Sequence, residues 1–305
     1  MITFLQGNCL DKIQELDDNS IDCVVSSPPY FGLRDYGVEG QFGLEKTYQD
    51  YIANTVKVFE TFKPKLKDTA TIWWNVGDSY SSGKRTSTTN QSLRGDKDYG
   101  VTRTPVQNGI KEKDLLMIPN RVAIALQDEG WYIRSEIIWH KPNPMPESVK
   151  DRPTSCHEKI WLITKSKKYY YDADAIKENS VDKESHTGMK KRNPDKRLGN
   201  KYFQTRVGDH ANGKKYPKRN KRNVWTVTTK PCKEAHFATF PKDLIEPCIK
   251  AGCPEGGTVL DPFGGSGTTG IVSQHLNRKA TLIELNEEYI AIAKKRIEQE
   301  FGLFK

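Results

Sequence analysis

What the chain lacks narrows it first. Its six cysteines (Cys9, Cys23, Cys156, Cys232, Cys248 and Cys253) form no CxxC pair, and Cys248 and Cys253 have no second Cys or His pair at zinc spacing. Neither a disulfide framework nor a metal site is therefore expected. No apolar run approaches the roughly 18 residues of a membrane span. The opening "MITFLQGNCLDK" carries neither the basic region nor the apolar stretch of a signal peptide. No segment repeats, and no lysine follows the glycines at 264–270, which removes a Walker phosphate loop. A reduced, cytoplasmic protein without metal and without membrane contact is the expectation.

What is present suits a large α/β domain with insertions, or two domains: 305 residues with 35% apolar side chains. Mean hydropathy is low, at −0.73. The net charge of +9 is unevenly spread, because residues 177–230 hold 16 Lys and Arg against 5 Asp and Glu. That stretch has a surplus of eleven positive charges, so the remainder is slightly acidic. Basic character belongs to one segment, which also interleaves Tyr202, Phe203, Tyr216 and Trp225. Such a segment suits phosphate contact and base stacking, and it equally suits a solvated charge run.

Strand-like and helix-like runs alternate through the rest. "IDCVVSS", "ATIWWNVG", "WYIRSEIIWHK", "EKIWLITK", "TVLDPF" and "ATLIEL" read as strands. Residues 48–62 repeat apolar side chains at helical spacing, and "IPNRVAIALQDEG", "FPKDLIEPCIKAG" and "NEEYIAIAKKRIEQE" read as helices, the last capped by Asn286. This alternation predicts βα units around a mainly parallel sheet. Two stretches break it: residues 81–113, polar and rich in Gly, Ser and Thr, and the basic segment 172–230.

Two motifs carry chemistry. "VVSSPPYFG" ends a buried strand at Pro28 and Pro29, which have fixed φ and no N–H, and then presents Tyr30. A stiff acceptor beside an aromatic ring can grip a planar group that bears an N–H. "TVLDPFGGSGTTG" runs a strand into Gly265, Gly267 and Gly270 in G-x-G-x-x-G spacing, and Glu284 ends the next strand. Glycines let backbone approach a ligand, and a carboxylate at the adjacent strand tip can take both hydroxyls of a ribose. Any ribose-containing cofactor fits this second motif, and a tight turn beside a solvated Glu fits it too.

Together these residues resemble the amino-methylating DNA methyltransferases that use S-adenosylmethionine. "DPFGGSGTT" looks like the cofactor turn, "SPPY" (27–30) like the catalytic tetrapeptide, and "HFATFP" (236–241) like the segment bordering the methionine moiety. "HKPNPMPESVKDRPTSCHEKIWLITK" (140–165) is similar to the region that follows the catalytic strands. The order is catalytic half, basic segment, cofactor half, the permuted arrangement of the family's beta class. The resemblance implies an α/β, Rossmann-like methyltransferase fold with a mainly parallel central sheet and an inserted target-recognition region. Residues 1–171 would be the catalytic half, 172–230 the insertion and 231–305 the cofactor half.

The implied catalytic residues are Ser27, Pro28, Pro29 and Tyr30. Oxygens of Ser27 and Pro28 would accept the amino N–H bonds of a flipped base, with Tyr30 stacked on its face. S-Adenosylmethionine would lie against Asn8, Thr239, Phe240, Asp261, Phe263, Gly265, Gly267, Thr268 and Glu284. Double-stranded DNA would be held by Lys214, Lys215, Lys218, Arg219, Lys221 and Arg222. A homodimer and a companion restriction endonuclease are compatible with the same reading. Ser27 favours N4 of cytosine, with N6 of adenine as the alternative, since many adenine enzymes carry Asp there. Asn8 stands where many relatives place Asp against the adenine of the cofactor. Cys232 in "KPCKEA" follows a proline, as the thiolate of C5-cytosine enzymes does, but it ends the basic segment instead of following a sheet strand. His140, His157 and His236 read as structural or surface residues. A nicotinamide-dependent oxidoreductase would use the glycine turn but leave "SPPY" idle, and a non-enzymatic nucleic-acid binder would leave the turn idle.

Overall fold

The computed structural model describes residues 1–81, 109–180, 217–229 and 240–302. The elements are β1 (Ile2–Gln6), α1 (Cys9–Gln14), β2 (Ile21–Ser26), α2 (Tyr48–Phe62), β3 (Leu66–Val76), α3 (Ile118–Asp128), β4 (Tyr132–His140), β5 (His157–Thr164), β6 (Glu178–Asn179), β7 (Lys218–Arg219), β8 (Val224–Thr226), α4 (Lys242–Gly252), β9 (Thr258–Asp261), α5 (Thr268–His275), β10 (Lys279–Glu284) and α6 (Glu287–Phe301). The chain divides into two compact units, one formed by 1–172 with 222–305 and the other by 173–221.

In the larger unit the described strands form one sheet in the order β1-β10-β9-β2-β3-β5-β4-β8. Every neighbouring pair is parallel except the two that involve β5, so β5 alone runs against the rest. All six residues of β2 are buried, as a strand covered on both faces requires. Trp73 and Trp74 are adjacent on β3 and therefore point to opposite faces. Trp74 meets Phe59 of α2 edge-on at 5.0 Å between ring centroids, and α1 and α3 both pack against α2. On the other face Thr71 Oγ1 donates to the Gly252 carbonyl of α4 at 3.0 Å. A Cβ at Gly252 would lie 2.3 Å from both Thr71 Oγ1 and the Trp73 indole nitrogen, so only glycine lets α4 sit this close.

Connectivity fixes where a ligand can go. From β9 the chain passes through α5 and steps outward to β10, whereas from β2 it passes through α2 and steps the opposite way to β3. The two progressions part between β9 and β2, and at such a switch point the loops beyond the strand ends diverge and leave a crevice.

In the smaller unit the described residues form a short 3-10 turn (Asp174–Ile176) and the antiparallel pair β6–β7. Arg219 donates to Glu178 across that pair at 2.8 Å. The unit boundary falls at Arg222, not at Lys230, because the end of the basic segment pairs with the main sheet. β8 extends β4 in parallel register, and Trp225 is buried there, 6.3 Å from Trp73 between ring centroids. Trp225 is thus a core residue, not a stacking ring of the insertion. Trp225→Ala should lower the unfolding free energy by about 3–5 kcal/mol, the usual cost of removing a buried tryptophan. Denaturant titration checks this, and a change below about 0.5 kcal/mol would mean that β8 is not part of the core.

Candidate active site

A cavity of about 260 Å³ opens at the switch point, walled by the loops that follow β1, β2, β9 and β10. Its lining includes Asn8, Ser27, Pro29, Phe240, Asp261, Phe263, Gly265, Thr268 and Glu284. Residues from both chemical motifs therefore share one space, although more than 230 positions separate them. Pro28 is buried, and neither it nor Tyr30 lines the cavity. Thr239, Lys214, Lys215, Cys232 and His236, like most of the 81–113 loop, lie outside the described residues.

Asp261 ties the two motifs together. It is 1% exposed. One oxygen accepts from Ser26 Oγ at 2.6 Å and from the Phe263 N–H at 3.1 Å, and the other accepts from Thr269 Oγ1 at 2.6 Å. The end of β2, the end of β9 and the first turn of α5 thus meet on one carboxylate. Burial pushes its pKa up to about 6, against the downward pull of these three donors. Asp261, one of the residues expected at the cofactor, lines the cavity while its oxygens accept these three protein donors.

Glu284, at the end of β10, accepts the Gly265 N–H at 2.8 Å on one oxygen and the Asn286 N–H at 2.9 Å on the other. Burial raises its pKa. Each oxygen keeps a lone pair for a further donor, as a carboxylate with two acceptor sites per oxygen allows. Gly265 has φ of +48°, and a Cβ there would meet nothing closer than the Phe263 carbonyl at 3.9 Å. Asn8 caps α1, its side-chain oxygen taking the Leu10 N–H at 2.9 Å. Its amide nitrogen is the group left for a ligand.

Gly267 departs from the expectation. It does not line the cavity; its Cβ would lie 2.9 Å from Ala293 Cβ on α6, at φ of +80°. The residue is glycine because α6 packs against the turn, so a leucine there would break the fold before it touched a ligand. Gly270 is constrained likewise, with a Cβ position 2.9 Å from Leu282.

The tetrapeptide is held by contacts the sequence reading missed. Tyr51 on α2 donates to the Pro29 carbonyl at 3.1 Å, which removes that acceptor from the site. Tyr30 donates to Glu158 Oε2 at 2.6 Å, and Ser27 Oγ donates to the Tyr30 hydroxyl at 3.2 Å. Asn75 Nδ2, at the end of β3, lies 2.6 Å from the Tyr30 hydroxyl, 2.9 Å from Glu158 Oε2 and 3.2 Å from Ser27 Oγ. Lys141 closes an ion pair on the other oxygen of Glu158. Burial, and then the Glu158 carboxylate, push the Tyr30 phenol well above its ordinary pKa, so it stays neutral. The ring lies against Gly77, where a Cβ would come within 2.6 Å of it. Within the HKPNPMPES stretch only the position of Lys141, one residue past β4, could have hinted at this network.

The remaining candidates lie elsewhere. Lys218, Arg219 and Lys221 belong to the smaller unit, and Arg222 to the larger. His140 Nδ1 contacts Thr226 Oγ1 at 3.1 Å, and His157 is its register partner on β5. Among the described residues no cluster of His, Cys, Asp or Glu could hold a metal ion, and no helix is long and apolar enough to cross a membrane.

The Asp261 carboxylate sets a pH dependence. Its folded pKa of about 6 exceeds the ordinary 3.8, so the folded state binds this proton more tightly than the unfolded one. The stability it contributes is complete below pH 3.8 and is lost as pH rises through 6, on the order of 3 kcal/mol by pH 7. Asp261→Asn keeps the shape without the charge. Its stability relative to the wild type should improve by roughly that amount between pH 4 and pH 7. Denaturant unfolding at several pH values reads the difference, and a difference that does not move with pH would contradict the assignment.

The family model described as DNA methylase matches residues 21–295. The Type II methyltransferase M.SmaI of Serratia marcescens is 46% identical over 95% of this chain and 89% of its own length. M.Cfr9I of Citrobacter freundii is 44% identical over 98% and 88%. Among solved structures, the cytosine-N4-specific PvuII DNA methyltransferase superposes with a TM-score of 0.65 at 17% identity, over 99% of this chain and 91% of that one. The M1.HpyAVI–SAM complex superposes with a TM-score of 0.53 at 18% identity, over 97% and 100%. With a family match across nine-tenths of its length and relatives this similar end to end, the chain belongs to the DNA methylase family and is a DNA methyltransferase.

Proposed function

We propose that the protein transfers a methyl group from S-adenosylmethionine to an exocyclic amino group of a base in duplex DNA, and that the group is N4 of cytosine. The observation that carries this reading is the shared cavity, in which Ser27 of the tetrapeptide and the Glu284–Gly265 cradle face one space. The residues fit the cofactor: a buried carboxylate with lone pairs to spare, a glycine whose open side faces no protein atom, and the flanking rings of Phe263 and Phe240. S-Adenosylmethionine, when bound, supplies a methyl group on an electrophilic sulfonium. The rest is positioning. The base site in this reading extends past the cavity to the Pro28 carbonyl and the Tyr30 ring, neither of which lines it. Ser27 and that carbonyl accept the amino N–H bonds and keep the nitrogen lone pair out of conjugation with the ring, directed at the methyl carbon. Tyr30 offers its ring to a base drawn out of the stack. The serine at position 27 and the N4 specificity named for the PvuII neighbour both favour cytosine.

The smaller unit, 173–221, is the target-recognition region in this reading, because its Lys and Arg surplus suits phosphate neutralisation. Lys218 is exposed, whereas Arg219 shares its charge with Glu178.

Two measurements bear on these assignments. Gly265→Asn puts a side chain that tolerates the left-handed region into the open side of the cradle. It should weaken S-adenosylmethionine binding tenfold or more in calorimetry while the melting temperature moves by only a few degrees; unchanged affinity would remove this turn from the cofactor site. Sequencing of modified bases in DNA from cells expressing the protein should find N4-methylcytosine at one recurring sequence. N6-methyladenine would reassign the base. Appearance of 5-methylcytosine that is lost in Cys232→Ser would refute amino methylation altogether.

A further inference from the structure

The hydrogen bonds around Tyr30 have a direction, and the direction is set by a residue that touches no substrate. A carboxylate can only accept, and the amide nitrogen of Asn75 can only donate. The Tyr30 hydroxyl lies 2.6 Å from each of them, so its single proton goes to Glu158 and its oxygen accepts from Asn75. With that proton committed, the Tyr30 oxygen can only accept from Ser27, whose hydroxyl proton is therefore turned inward at 3.2 Å. Ser27 lines the cavity and gives its hydroxyl proton to Tyr30. It is left as an acceptor.

The asparagine shows how strongly Glu158 dictates the arrangement. Asn75 is 4% exposed, and its Oδ1 has no hydrogen-bond partner among the described residues. Turning the amide over would bring that oxygen to the Tyr30 and Ser27 hydroxyls but set it 2.9 Å from Glu158 Oε2. The arrangement keeps a buried oxygen unsatisfied instead of opposing two acceptors. Lys141 determines how Glu158 presents itself: its ammonium is paired with Oε1 and lies 4.3 Å from the centre of the Trp139 ring, so Oε2 faces Tyr30.

We infer that Glu158, oriented by Lys141, is a positioning residue that fixes the hydrogen-bond polarity of the active site, making Ser27 an obligate acceptor and so selecting bases that present an amino group over bases that present a carbonyl. The inference rests on the amino transfer proposed above and adds to it the origin of the discrimination.

Glu158→Gln keeps the size but gives the side chain two faces. Beside the Lys141 ammonium the amide must turn its oxygen to the lysine and its NH₂ to Tyr30, which reverses the relay and lets Ser27 point its proton into the cavity. Single-turnover methylation of duplex DNA should fall at least tenfold, with S-adenosylmethionine affinity unchanged. Rates are compared at a temperature where circular dichroism shows the variant fully folded, since leaving Lys141 unpaired lowers the melting temperature. In Lys141→Met/Glu158→Gln the amide is free to turn its oxygen to Tyr30, so the rate should recover at least threefold over the single variant. A purely structural role predicts wild-type rates for both variants at that temperature, because orphaning one member of a buried pair then costs only stability, and removing both costs less. Tyr30→Phe gives a second test that does not depend on the folding of the Glu158 variant: it keeps the ring, deletes the relay oxygen and should also lose at least tenfold. Wild-type rates in Glu158→Gln or Tyr30→Phe, or a double variant slower than Glu158→Gln alone, would overturn the inference while leaving amino methylation standing. A wild-type product methylated on carbon would remove both.

Discussion

The fold and the site hang on one carboxylate. Asp261 gathers Ser26, Thr269 and the Phe263 N–H, so the strand that delivers the SPPY tetrapeptide and the strand that delivers the glycine turn are fixed to each other at their ends. Parallel pairing aligns β2 and β9 only at Cys23–Val259 and Val24–Leu260. Beyond those residues the two chains part toward opposite sides of the sheet, and without a crosslink the loops would be positioned only by their own stiffness. A charged group buried for this purpose is costly, as its raised pKa records. The arrangement is stable because each oxygen accepts a short hydroxyl bond, and buried acceptors so satisfied hold geometry well.

From this anchor the site builds outward in two directions. Toward β10, Glu284 spans the glycine turn and the cap of α6, so this wall of the cavity is braced by backbone donors. Toward β3 and β5, the tetrapeptide is braced by side chains, with Asn75, Glu158 and Lys141 fixing hydroxyls whose protons could otherwise rotate. The first wall carries a carboxylate, which can only accept. The second presents an acceptor. One cavity thus brings acceptor oxygens from both motifs to a single space.

Much of this was legible in residues with strong local signals. The periodicity from Tyr48 to Phe62 marks α2 from end to end, and Asn286 caps α6 as its position suggested. The short strand Ile2–Gln6 and the six-residue helix after it are too brief to impose a period, and both went unread. β8 was hidden because its neighbours are basic, although a tryptophan inside a charge run is a sign of burial. Glu158 and Lys141 escaped notice for a related reason: charged residues beside a strand read as solvent-facing, and only the sheet order, which puts β5 next to β3, reveals that they turn inward. Gly267 was misread because a glycine motif does not say which side of each glycine is crowded, the ligand's or the protein's.

Gly77 has a consequence for how finely the enzyme is tuned. The Tyr30 ring rests on bare main chain there, without an intervening side chain. A ring seated on another side chain inherits that neighbour's rotamer populations, and its height above the pocket floor wanders with them. A ring seated on the peptide plane at the end of a central strand has the sheet itself as its reference surface. The height of the ring is then set by the least compressible part of the molecule. If the proposed transfer works by alignment, such mechanical stiffness supplies what a strong base supplies in other enzymes.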